Sequence, residues 1–176
     1  TQSVMRSTRT RLPWLLASCL GGIFAFFVIG KFEGTLNRYA YLAAFIPVIM
    51  GMGGNIGTQS STIVVRGLAT GRIIARDFWT VVAKECTIGL ILGLIYAILI
   101  GSVAQLSYSM IWLALAVGLA VICSMSVAAL VGSCVPLLMA RANIDPAVAT
   151  GPFVTTSIDI ISVYFYFLIA TTFLGI

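Results

Sequence analysis

Charged side chains are scarce in this chain of 176 residues. They make up 9% of the sequence, whereas 60% of the residues are hydrophobic. This balance excludes a soluble globule, which needs more polar surface than the chain can supply, and it predicts the lipid bilayer as the main surrounding. The net charge of +5 is expected where basic loops lie beside acidic lipid, and it does not predict a nucleic-acid partner.

Histidine is missing altogether, and no two of the four cysteines form a CxxC pair. Without histidine the chain lacks the usual imidazole metal ligand and the usual proton shuttle. The cysteines lie in or at the edge of hydrophobic segments, where small core residues are expected. The remaining side chains do not supply a set of acid, base and nucleophile, so the chain is predicted not to be an enzyme.

Long segments without charge separate the clusters of charged residues. Residues 12–30 would form a helix about 28 Å long, which just spans a bilayer core. Residues 39–65 contain Pro47 and a glycine-rich run, so a kinked or broken second helix is predicted. Residues 86–140 are long enough for two crossings, with a polar turn at 105–109.

A fifth helix is predicted over residues 151–176, which gives an all-α membrane protein with five transmembrane helices. Residues 66–85 carry charges of both signs and resemble an amphipathic helix on the membrane surface. With five spans, two of the ten Lys and Arg residues, Lys31 and Arg38, fall on one side and eight fall on the other. Basic loops stay in the cytoplasm, so we expect a multi-pass protein of the cell (inner) membrane with its amino terminus inside and its carboxyl terminus outside.

Asp159 is the informative residue, because an ionised carboxylate in a spanning helix costs about 2.5 to 3.5 kcal/mol. Polar residues at helical spacing from it make one stripe, which predicts a wet surface: Thr155, Thr156, Ser162 and Tyr166. One alternative is a hydrogen-bonding face that holds helices together. No Lys or Arg lies within any predicted span, so a proton or a cation would have to neutralise the carboxylate, and a transported cation fits better.

A second polar cluster, residues 53–62, lies in the predicted broken helix. Gly53 and Gly57 form a GxxxG motif, which most often indicates close helix packing. Packing alone does not require Asn55, Gln59 and a row of hydroxyl groups in the same turns. Such groups are tolerated at membrane depth where they face a water-filled path, and they suit a hydrated cation.

Several motifs along the chain resemble the membrane domain of the MgtE-type magnesium channels. They are Gly-Gly-Asn-Ile-Gly-Thr-Gln-Ser-Ser from Gly53, Val65-Arg66-Gly67-Leu68-Ala69, Asp145-Pro146-Ala147, Gly151-Pro152-Phe153-Val154-Thr155-Thr156, Asp159 and Tyr164-Phe165. The resemblance covers essentially the whole chain.

This resemblance implies a homodimer whose pore lies on the two-fold axis, between the second and fifth helices. Asp159 would be the pore aspartate, the Thr155 carbonyl would join the same Mg²⁺ site, and Asp145 would belong to a cytoplasmic magnesium-sensing interface. The residues expected to line the pore are Gly53, Gly54, Asn55, Gln59, Thr156 and Ser162. Residues 1–11 would end a cytoplasmic connecting helix, residues 12–176 would form the pore domain, and the family's regulatory cytoplasmic domains would be missing here.

The expected function is therefore a magnesium-selective, or more broadly divalent-cation, channel or transporter that moves hydrated Mg²⁺ down its electrochemical gradient. Two alternatives stay open. In a proton-coupled carrier Asp159 would titrate during alternating access, and in a non-transporting membrane anchor it would only assemble a complex.

Overall fold

A computed structural model describes residues 4–146 and 151–174, except for the side chains at positions 7, 10, 11, 14, 75, 152 and 153. Two 3₁₀ turns, Ala40–Phe45 and Ala75–Asp77, stand between longer helices. The α-helices are α1 (Val4–Gly30), α2 (Glu33–Arg38), α3 (Ile46–Ala69), α4 (Phe78–Tyr108), α5 (Ile111–Arg141) and α6 (Pro152–Leu174).

Four helical segments are long and apolar enough to cross a bilayer: Ala40–Ala69, Phe78–Tyr108, Ile111–Arg141 and Val154–Leu174. In α1 the apolar part is shorter, Leu15–Gly30. The described chain is therefore an all-helical, multi-pass membrane protein with four clear spans, and the predicted fifth span through α1 stays a prediction. The predicted domain boundary at residue 11 falls inside α1, which is one continuous helix from Val4. Residues 1–3 and 175–176 of the predicted elements lie outside the described part.

Helix α5 occupies the centre and packs against α3, α4 and α6, while α1 packs against α6. Small residues make this possible because they let helix backbones approach closely. A Cβ atom at Gly118 would lie 3.4 Å from the Ala97 carbonyl oxygen of α4. On the other side of α5, a Cβ at Gly132 would overlap the carbonyl oxygen of Gly57 in α3.

Contacts along α6 give the direction of its neighbours. The Tyr166 hydroxyl donates a hydrogen bond of 2.9 Å to the Leu42 carbonyl, whereas Ile158, two turns earlier, packs against Gly57. Helices α3 and α6 are therefore antiparallel. Helix α1 runs parallel to α6, since Ser18 meets Thr156 at 3.2 Å near the start of α6 and the Phe32 ring, just after α1, stacks on Phe167 at 4.9 Å.

These directions place the described basic residues unequally at the two ends of the bundle. Only Lys31 and Arg38 lie at the end where α1 finishes. The opposite end, here called the basic end, holds Arg6, Arg9, Arg66, Arg72, Arg76, Lys84 and Arg141. At this end Arg141 lies over the Phe78 ring, with its guanidinium carbon 4.6 Å from the ring centre.

The predicted hairpin is confirmed. Helix α4 ends at Tyr108 and α5 begins at Ile111. Between them Ser109 adopts a left-handed conformation with φ of 52° and donates its N–H to the Gln105 carbonyl at 2.8 Å. This left-handed residue reverses the chain where the sequence predicted a polar turn.

Two predictions about the helices were wrong. Helix α3 is not broken at its glycines, which all lie within one continuous helix, and Pro47 stands in its first turn, where a missing N–H has no helical partner to lose. The predicted segment does change beside this proline, from the 3₁₀ turn Ala40–Phe45 to α3. The predicted surface helix over residues 66–85 does not exist. Instead α3 continues to Ala69, Gly71 turns the chain with φ of 68°, and α4 has already begun at Phe78.

Candidate cation site

Asp159 lies in the third turn of α6, about 10 Å along the helix from Pro152. Its carboxyl group is half-buried beside α3. A Cβ atom at Gly54 would lie 3.7 Å from Asp159 Oδ1. Because glycine has no side chain, the space in front of the carboxyl group stays open. The neighbouring residue Ile158 packs on the other side against Gly53 and Gly57. Helix packing thus fixes Asp159 next to the backbone of α3.

The Asp159 carboxylate has no side-chain partner within the described part of one chain. No described side chain donates a hydrogen bond to it or forms an ion pair with it. The described residues also contain no group of three or more Asp, Glu, His or Cys side chains that could hold a metal ion. Because a lone charge in an apolar span is costly, this carboxylate needs water, a proton, a cation or a second chain.

Exposed polar side chains follow one side of α3, starting beside Asp159. These are Asn55, Thr58, Gln59 and Thr62, here called the polar face of α3, and they line one shallow depression together with Ile63. The Thr58 hydroxyl donates a hydrogen bond of 2.8 Å to the Gly54 carbonyl. Carboxamides in a span are unfavourable against hydrocarbon. The polar face therefore indicates contact with water or with another protein surface rather than with lipid tails.

Gly53 and Ser162 are located differently from the sequence prediction, which put both on the pore. Ser162 is only 2% exposed, and its hydroxyl oxygen lies 2.7 Å from that of Ser124 in α5. A Cβ atom at Gly53 would lie 2.5 Å from Ser124 Oγ. Both residues are therefore buried where α3, α5 and α6 meet. Tyr166 is also buried, so the predicted polar stripe of α6 is not one wet surface.

The remaining predicted site residues lie on three different surfaces. Thr156 faces α1, where it meets Ser18 and fills the space beside Gly21. Thr155 is half-buried one turn before Asp159, and its hydroxyl donates to the Gly151 carbonyl at 3.4 Å. Asp145 is exposed in the loop after α5, at the basic end. Of the predicted residues, Gly54, Asn55 and Gln59 are the ones that border the space beside Asp159 or continue from it along α3.

Sequence reasoning did not select Thr58 and Thr62 as individual site residues, although a signal was available. Both recur at helical spacing from Asn55, which is the pattern that places residues on one helix face. Ser124 was also missed. It lies in the long charge-free segment that gave no reason to single out one hydroxyl, and only the fold brings it to Ser162.

The fold and the site together define a multi-pass helical membrane protein with one carboxylate against a polar helix face. Residues 46–169 match the family model MgtE, which is described as a divalent cation transporter. The chain belongs to the MgtE family.

Three curated relatives agree with this assignment, and each is named magnesium transporter MgtE. The protein of Enterococcus faecalis is 35% identical over 99% of this chain. That of Bacillus subtilis is 32% identical over 93% of it, and that of Thermus thermophilus is 35% identical over 91%. The chain spans a little over a third of the length of these relatives, from 35% to 38%.

Proposed function

We propose that this chain forms the membrane pore of a magnesium transporter, in which two copies pair and hydrated Mg²⁺ passes between them down its electrochemical gradient. The observation that carries the proposal is the unpaired Asp159 carboxylate beside Gly54. Membership of the MgtE family and the names of the relatives support magnesium as the ion.

A second copy supplies what one chain lacks. One carboxylate does not hold a divalent cation well, but a two-fold axis beside α3 and α6 brings two of them to one place. The polar face of α3 would then look across the axis at its equivalent in the partner copy. This pairing takes the carboxamides of Asn55 and Gln59 away from lipid. The homodimer thus accounts for the exposed polar residues and for the single acidic residue together.

Electrostatics favours a divalent ion at such an axis. Two carboxylates about 8 Å apart repel by roughly 2 kcal/mol at an effective dielectric constant of 20. A divalent ion about 5 Å from each carboxylate gains roughly 6 to 7 kcal/mol per carboxylate before desolvation is subtracted. A monovalent ion gains half as much, so among ions that keep their water shell the site favours divalent ones.

The ligand types favour an ion that keeps its water. Mg²⁺ releases water reluctantly and is usually held by one or two carboxylates with several waters retained. Asp159, the carbonyl of Thr155 one turn earlier, and the Asn55 and Gln59 side chains offer oxygen atoms for those waters. The chain has no histidine. Histidine is the ligand that a site for softer transition metals would be expected to contain.

The charge distribution supports an orientation with the basic end in the cytoplasm. We propose that α1 is the fifth span, so that the carboxyl terminus lies outside the inner membrane. In this arrangement Asp145 lies at the cytoplasmic mouth, where magnesium sensing by a preceding regulatory domain would act.

The proposed function is tested by replacing Asp159 with Asn in the full-length chain and measuring Mg²⁺ flux into liposomes with a magnesium-sensitive dye. Because the change removes both carboxylates from the axis, we expect nearly all of the flux to disappear. The fold of each copy should be kept, since Asp159 makes no hydrogen bond within the described chain. The dimer should stay intact on gel filtration, since the two carboxylates repel each other across the axis.

Asp77→Asn is the matched control, because Asp77 is an exposed carboxylate in the loop before α4 and its removal changes the net charge equally. This variant should keep its flux. Undiminished flux in Asp159→Asn would contradict the proposal.

A second measurement distinguishes a channel from a carrier. A Mg²⁺ current that persists without a pH gradient and reverses near the magnesium equilibrium potential indicates a channel. Strict dependence of the Mg²⁺ flux on a proton gradient would indicate a carrier.

A further inference from the structure

Three basic side chains from consecutive parts of the chain converge at the basic end of the bundle. Arg66 belongs to the last turn of α3, Arg72 to the loop that follows, and Lys84 to the second turn of α4. They line one depression of about 480 Å³, together with Ile63 and Gly67 among others. We call this depression the basic pocket.

The backbone of the loop holds Arg72 beside Arg66. Gly71 takes a left-handed conformation with φ of 68°, which turns the chain back over the end of α3. The N–H groups of Arg72 and Ile73 then both donate to the Gly67 carbonyl, at 2.9 and 3.1 Å. The Ile73 side chain fills the space above Gly67. The pocket is therefore built by the fold and not by the chance approach of long side chains.

The positive charge of the pocket is not compensated within the described part of the chain. None of the side chains of Arg66, Arg72 and Lys84 forms an ion pair or a hydrogen bond with a described residue. Of the nearby acidic residues, Asp77 accepts a hydrogen bond from the Ile74 N–H at 3.4 Å. Glu85 is buried in α4, whereas Lys84 is exposed. Three cations around one depression attract a phosphate group.

Apolar surface adjoins these cations. Ile63, in the wall of the pocket, is 55% exposed. Trp79 does not line the pocket, but it lies at the same end of the bundle, in the first turn of α4, and is 77% exposed. An exposed tryptophan at the end of a span marks the level of the lipid headgroups. A ligand that fits both features carries a phosphate and an acyl chain.

We propose that the basic pocket binds the phosphate headgroup of an anionic phospholipid. The phosphate lies between Arg66, Arg72 and Lys84, and the acyl chains meet Ile63 at the edge of the polar face, on the side towards α4 and not along Asn55 and Gln59. This site is separate from Asp159, so it does not depend on the proposed transport function.

The test uses the full-length protein in detergent and native mass spectrometry with phosphatidylglycerol, a phospholipid with one negative charge, and with zwitterionic phosphatidylcholine. Phosphatidylglycerol should bind more tightly. Lys84→Gln should weaken its binding about fivefold, and the triple variant Arg66→Gln, Arg72→Gln, Lys84→Gln about a hundredfold, since each basic residue contributes about 1 kcal/mol. Phosphatidylcholine binding should not change in either variant.

Arg76→Gln is the matched control, because Arg76 is an exposed basic residue of the same loop that does not line the pocket. It should bind phosphatidylglycerol like the unaltered protein. An equal loss in Arg76→Gln, or no loss in Lys84→Gln, would overturn the proposal in favour of general surface attraction. Displacement of the lipid by millimolar inorganic phosphate would overturn it in favour of a soluble ligand. Lys84→Gln removes no described hydrogen bond, so its fold should be kept.

Discussion

Ser124 links α5 to both helices of the proposed pore without facing it. Its hydroxyl oxygen lies 2.7 Å from the Ser162 hydroxyl and 3.2 Å from the Ile49 carbonyl. In an apolar interior such bonds are retained because no water is present to replace them. Ser162 therefore contributes to the attachment of α6, the helix that carries Asp159, and not to the surface along which an ion passes.

Replacing Ser162 by Ala should destabilise the protein by about 1 kcal/mol, because one buried hydrogen bond is lost. Mg²⁺ flux should stay close to normal. The free energy of unfolding in a detergent titration and the liposome flux check the two parts. Ser126→Ala is the control, since the Ser126 hydroxyl is buried without a hydrogen-bond partner and its removal should cost nothing. A loss of flux as severe as that of Asp159→Asn would show that Ser162 lines the ion path.

Helices α3 and α5 approach so closely at Gly57 and Gly132 that their backbones touch. Glycine is required at position 132 because a Cβ atom there would overlap the Gly57 carbonyl oxygen, and neither backbone can move freely. The same close approach brings Ile158 of α6 against Gly57. The GxxxG motif of α3 thus serves helix packing, and the packing in turn positions Asp159.

Gly132→Ala should lower the free energy of unfolding by about 1–3 kcal/mol, because the added methyl group forces the two helices apart. Gly51→Ala provides the contrast within α3. A Cβ atom at Gly51 meets nothing within 4 Å, so this change should be neutral or stabilise the helix by up to about 1 kcal/mol. Unfolding in detergent measures both variants. Equal stability of the two would contradict the close contact.

Hydropathy alone was enough to predict the hairpin turn near Ser109, the last span and the position of Asp159 within it. It could not tell that Gly53 is buried while Gly54, the next residue, faces the carboxylate. In a soluble helix the apolar side marks the core, but in a membrane both the core and the lipid are apolar. Small residues that fit together, such as Gly57 and Gly132, determine which side of α3 packs against α5. A single sequence does not show which small residues pair in this way.

The proposed pairing of two copies accounts for where the polar and apolar surfaces of the bundle lie. Asp159 and the polar face of α3 lie on one side of the bundle, whereas the outer side of α4 is apolar, with Ile98 74% exposed. A membrane protein presents its apolar side to lipid and its polar side to water or to protein. This distribution supports the proposed dimer axis beside α3 and α6, away from α4.

Single cysteines introduced at Asn55 or Gln59 should be joined between two copies by a flexible thiol-reactive cross-linker, because residues near a two-fold axis approach their own equivalents. The background should lack the native thiols of Cys19, Cys86, Cys123 and Cys134. Cross-linking in membranes followed by denaturing electrophoresis reads the result. A cysteine at Ile98 is the control and should stay monomeric. Equal cross-linking from Ile98, or none from Asn55 and Gln59, would place the interface elsewhere.

The proposed site, a divalent ion held between two Asp159 carboxylates, can be tested through the stoichiometry of Mg²⁺ binding. Equilibrium dialysis of the full-length protein and of its Asp159→Asn variant isolates this site, because sites in other domains contribute equally to both. We predict that the variant binds one Mg²⁺ fewer for every two chains. A difference of one ion per chain, or no difference, would contradict a shared site on the axis.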